Sequence, residues 1–186
     1  MTSVSDRNFG LLIAYLVPGF TALLGIAYFS ETVRSWLTGA ATDGPTIGGF
    51  LYVTVASVAA GMTASAVRFH VIDRIHHWTG IRHPAWDFSK LQQSIAAYDV
   101  LIDIHYNYYK FHANSLVSLL VLYVARQSGV RHWSLDAEDM LFLLLAVIFF
   151  GTSRDNLRKY YTRVAKLLGT EENAAADQAS DQTKAE

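Results

Sequence analysis

Apolar residues along this chain are gathered into four blocks instead of being spread at amphipathic spacing, and blocks of this kind point to a bilayer. Residues 9–29 run without a charged side chain. At 1.5 Å per residue they cover about 31 Å as a helix, enough to cross the hydrocarbon core. A second run covers 47–69, a third 106–126, and a fourth is centred on 140–151. That last block is only about 18 Å long as a helix. It is therefore extended to 136–153, with a re-entrant segment as the competing reading. The predicted fold class is all-α: a polytopic integral membrane protein, built as a four-helix transmembrane bundle with cytoplasmic helical extensions, in one domain over 1–169.

Smaller signals refine this outline. Pro18-Gly19 should bend the first span, because proline removes one hydrogen bond and crowds the carbonyl of Ala14. In the second span Ala56, Ala60, Ala64 and Ser57, Gly61, Ser65 form two rows of small residues that let helices approach closely, either inside one subunit or between copies. Residues 30–46 read as a polar connector. Val71, Ile72, Ile75 and Trp78 keep helical spacing beyond the second span, and Gly80 with Pro84 should end that helix. Ser89-Lys90-Leu91-Gln92 has the capping-box pattern. The helix it opens carries an apolar row, Leu91, Ile95, Tyr98 and Ile102, expected to lie against the extension of the second helix and so complete a cytoplasmic hairpin over 70–105. Residues 154–168 form a basic amphipathic helix of the sort that rests on anionic lipid or docks a partner. Gly169 can stop it, and 170–186 is expected to be a disordered tail.

Charge changes the picture in two ways. The formal net charge is −1, which argues against a nucleic-acid partner held by bulk electrostatics. Its distribution is uneven: Arg68, Arg74, Arg82, Lys90 and Lys110 share one side with Arg154, Arg158, Lys159, Arg163 and Lys166, whereas the other side receives Arg34, Arg126 and Arg131. The positive-inside rule then makes the protein a multi-pass plasma-membrane component with both termini in the cytoplasm. The chain has no cysteine, so thiol catalysis, disulfides and thiolate metal sites are excluded.

Two constellations carry candidate chemistry. Asp99, Asp103, Asn107, Lys110, Asn114 and Ser118 follow one another at spacings of three or four, a single helical stripe that continues into hydrocarbon and must face something other than lipid. Asn114 and Ser118 either bond neighbouring helices of the bundle or, with Asp103, Asn107 and Lys110, line a water-filled path between copies. Separately, His70, Asp73 and His77 share one helix face, and Asp99 with Asp103 sit one turn apart on the next helix. Brought together, these five could hold a divalent metal ion and support hydrolysis of lipid-linked or phosphorylated substrates at the membrane surface. No His-Glu-x-x-His motif, phosphate-cradling loop or nucleophile elbow accompanies them. The favoured expectation is a non-enzymatic membrane protein working through homo-oligomerisation or a cytoplasmic protein partner, as a pore or effector. A metal-dependent hydrolase is the alternative.

Overall fold

A computed structural model describes residues 4–42, 47–128 and 136–169. Every regular element among them is a helix, and no extended strand is present among the described residues. The expected disordered tail, with residues 43–46 and 129–135, lies outside the described residues. Six α-helices follow in order: α1 (Val4–Ile26), α2 (Glu31–Thr42), α3 (Ile47–Trp78), α4 (Leu91–Leu101), α5 (Asn107–Ser128) and α6 (Ala137–Leu168). A π-helical segment, Ile102–Tyr106, joins α4 to α5. By length and composition α3 and α6 are apolar and long enough to cross a membrane, and α1 contributes a shorter apolar stretch, Leu12–Ile26.

The helices alternate in direction. Tyr15 meets Gly61 and Gly19 meets Ser57, so α1 and α3 are antiparallel. Ala14 is bonded by Asn114 and Gly25 lies against Leu122, so α1 and α5 run parallel. Tyr123 against Phe142 and His112 against Phe149 make α5 and α6 antiparallel. Helix α5 is the central element, packed by α1, α3 and α6.

The small-residue row of α3 is what lets α1 in so close. A Cβ on Gly61 would stand 2.0 Å from the carbonyl oxygen of Tyr15, and one on Gly19 1.7 Å from that of Ser57. Only hydrogen fits at either place. Ser57 and Gly61 of one row and Ala64 of the other are buried, and Ala56, Ala60 and Ser65 are half-buried, so both rows are largely used within one chain.

Helix α1 continues through Pro18, which is fully buried. Proline has no N–H, so the carbonyl of Ala14, four residues back, loses its usual intrahelical donor. The side chain of Asn114 supplies a replacement, Nδ2 donating to that oxygen at 3.2 Å. Apolar surroundings make such a repair obligatory, because an orphan carbonyl there is costly.

At the far end of α3 the expected stop is present. Gly80 takes φ +100°, its N–H bonds the carbonyl of His77, and the N–H of Ile81 bonds that of His76. Those two bonds are the Schellman arrangement, which satisfies carbonyls the helix end leaves open. Ile81 is buried beneath it.

Three expectations are corrected. The connector 30–46 contains a helix, α2, anchored to α3 by Trp36 stacked on Tyr52; its apolar positions are too few to register as a block, yet they suffice for a short amphipathic turn at the bundle's edge. The residue capping the turn ahead of α4 is Asp87, whose carboxylate accepts from the Ser89 N–H at 3.0 Å and from its hydroxyl, so Ser89 is a donor to the cap instead of the cap itself. Finally, the apolar row of α4 packs against α6 and not against α3. Leu91, Tyr98 and Ile102 join Trp86, Tyr160, Val164 and Leu168 in one cluster, while Ile95 is exposed. That cluster also covers the apolar face of 154–168, so this stretch is the second half of one continuous helix buttressing the bundle, with no apolar face left to lay on lipid.

Candidate functional site

Because α4 leans on α6, the space between the extension of α3 and the α4–α5 junction stays open. It forms a cleft of about 790 Å³. One wall is the last three turns of α3, with Phe69, His70, Asp73, Arg74 and His77. The other wall is the π segment and the start of α5, with Ile102, Asp103, Tyr106, Asn107 and Lys110, and the floor is Leu157, Tyr160 and Tyr161 of α6. The π turn itself is marked by the Asn107 N–H reaching the carbonyl of Ile102, five residues back, and such turns re-aim side chains at helix surfaces. Here Asp103 and Asn107 are aligned by it, and the Asn107 amide donates to Asp103 Oδ1 at 3.1 Å.

The polar stripe is placed on the inside of a single chain. Asn114 and Ser118 are completely buried, and Asn107 and Lys110 are 9% exposed. Asn114 faces α1, as described, and Asp103, Asn107 and Lys110 open onto the cleft. Nothing in this arrangement presents the stripe to another copy.

Behind the cleft lies a charged core between α3 and α5. Arg68, 5% exposed, stands 3.6 Å from Asp73, with its guanidinium 5.1 Å from the centre of the Tyr109 ring. The Tyr109 hydroxyl donates to the same Asp73 carboxylate oxygen. Two nitrogens of Arg68, Nε and Nη1, have no hydrogen-bond acceptor, and its charge is balanced by the Asp73 carboxylate and the Tyr109 ring face, with Tyr106 as a hydrogen-bond partner.

The five residues read as a metal set are dispersed by these commitments. His70 Nδ1 bonds the carbonyl of Ala66, Asp73 is taken by Tyr109 and Arg68, and His77 pairs with Tyr161 at 3.4 Å. Asp103 accepts from Asn107, and Asp99 does not line the cleft. Among the described residues no three His, Asp or Glu side chains are placed to hold an ion. No family model, curated protein or solved structure matches the chain.

Several residues of the site carry no recognisable motif. Tyr106, Tyr109, Tyr160 and Tyr161 build most of the aromatic wall, with Tyr106 and Tyr160 5.0 Å apart between ring centres and the hydroxyls of Tyr98 and Tyr160 at 3.2 Å. His76 is wholly buried and its Nε2 lies 3.0 Å from Ser153 Oγ. That hydroxyl also lies 2.9 Å from the carbonyl of Phe150, and when it donates there it accepts from an Nε2–H of the imidazole. Arg163 donates to His105 Nε2. Burial and the neighbouring cations Arg163 and Lys159 lower the pKa of His105 below the ordinary value, holding it neutral. The one clue in the sequence was Arg68, a charge at the edge of an apolar span.

Proposed function

We propose that the protein is a four-span membrane component whose inner-end platform binds a ligand or partner without chemical transformation. The observation that carries the membrane part is the inversion of polarity across α5: its polar stripe is turned inward, while Val17, Val55, Val124 and Leu144 leave every long helix with an apolar exterior. Arg126, held by Asp136, Glu138 and Asp139 at 3.2, 2.6 and 3.0 Å, marks the opposite, outer end. The basic excess at the cleft end favours the cytoplasm for the platform and for both termini.

Support for binding over catalysis comes from the cleft lining. No serine or threonine hydroxyl lines it, and its carboxylates are already engaged by Tyr109, Arg68 and Asn107. Burial of Asn114 and Ser118 likewise favours binding over a pore lined by the stripe.

The cysteine-free background makes the test direct. Single variants Arg82→Cys and Lys166→Cys should react with a membrane-impermeant maleimide only after cells are opened, and Glu31→Cys should react in intact cells. Labelling of all three in intact cells, or of none until detergent is added, overturns the arrangement.

A further inference from the structure

Together with Arg68 behind it, the cleft sets three cations, Arg68, Arg74 and Lys110, against two carboxylates, Asp73 and Asp103. Of the two carboxylates and two cations that line it, Asp73 is paired with Arg68 and bonded by Tyr109, and Asp103 accepts from the neutral Asn107 amide, whereas Arg74 and Lys110 make no ion pair among the described residues. Lys110 is the more telling, being over nine-tenths buried. Its ammonium rests over the rings of Tyr106 and Tyr15, 5.1 and 5.9 Å from their centres. Two aromatic faces soften the burial of an ammonium, and Asp103 attracts it from the same wall without forming an ion pair, so no anion sits directly on it. Its opening is toward the cleft, next to Asn107, whose buried Oδ1 also lacks a partner.

We propose that this cleft binds the phosphate-bearing headgroup of an anionic amphiphile, with Lys110 taking the phosphate and the rings of Tyr106 and Tyr160 covering the adjoining part of the headgroup. A phosphate supplies the directly paired anion that Lys110 lacks, and charge-assisted bonds to it are the strong ones. The amphiphile is favoured over a free anion because Phe69, on the facing wall and largely exposed, continues the apolar outer face of α3 up to the cleft. An acyl chain can follow that face while its head turns inward. This assignment rests on the membrane reading above.

Full-length protein in a non-ionic detergent would be titrated with a short-chain phosphatidic acid, with the matching phosphatidylcholine, and with inorganic phosphate, following tryptophan fluorescence, since Trp86 lines the cleft. Saturable binding of the phosphatidic acid is expected, weakened about tenfold or more by Lys110→Met, retained by Lys110→Arg, and unchanged by Arg34→Gln at the other end. Lys110→Met should also raise the melting temperature of the unliganded protein, because it removes a buried charge that forms no ion pair, and should abolish the rise produced by phosphatidic acid. Inorganic phosphate binding as tightly, equal binding of phosphatidylcholine, or a response indifferent to Lys110→Met would each overturn the proposal. Failure of the membrane reading is scored separately on the same preparation: it is shown by recovery of the protein from cells without detergent.

Discussion

If the Asn114 amide exists to repair the gap left by Pro18, its value must depend on the proline. Asn114→Ala strips the Ala14 carbonyl of its side-chain donor at a site with no exposure. An unsatisfied buried acceptor costs about 1–3 kcal/mol, and interhelical side-chain bonds in membrane bundles have measured nearer 0.6–1.7. In the Pro18→Ala background, however, residue 18 regains an N–H that can reach the same carbonyl, so Asn114→Ala should lose most of that cost. The cavities left by either truncation appear in both backgrounds and cancel in the double-mutant cycle. A coupling of about 1 kcal/mol is expected, seen as a difference of about 2–4 °C between the two Asn114→Ala shifts in thermal unfolding in detergent. Equal shifts in the two backgrounds would refute the repair.

Close packing of α1 on α3 predicts opposite outcomes for two glycines. Gly61→Ala should destabilise by about 1–3 kcal/mol by pushing the helices apart, whereas Gly151→Ala, where a Cβ meets nothing within 4 Å, should stabilise by about 0.5–1 kcal/mol through helix propensity; thermal unfolding of both variants checks the sign. His105 gives a pH dependence. Its folded-state pKa is depressed, so the unfolded chain binds the extra proton, and stability is fully present above the ordinary histidine range and lost as pH falls through it. Unfolding measured between about pH 7.5 and 4 should show that loss together with the one from His76, whose pKa burial lowers to about 4, so His105→Gln should reduce the slope and leave the His76 part.

How far the sequence could be read differs from element to element. Block composition located the long helices, because a run of apolar residues needs no partner to be recognised. Gly80 and Gly169 were legible as stops for the same local reason, and Ser57 and Gly61 as a packing row, although only the contacts with Tyr15 and Gly19 show that the row is spent inside the chain. Helix α2 escaped notice, since a short polar amphipathic segment resembles a connector. The cleft was illegible because it is a gap left by a choice of partner: Tyr98 and Ile102 pack on Tyr160 and its neighbours in α6 instead of on α3, and nothing in the spacing of that row distinguishes the two. His70, Asp73 and His77 do share a helix, yet each has a closer commitment than the others.

The inward orientation of the α5 stripe is the claim on which the bundle and the cleft both depend, and cysteine accessibility along that helix tests it most directly. Asn114→Cys and Ser118→Cys should resist both a water-soluble and a lipid-soluble thiol reagent, while Leu120→Cys and Val124→Cys react with the lipid-soluble one alone. Rapid reaction of Asn114→Cys and Ser118→Cys with the water-soluble reagent in the folded protein would contradict the account.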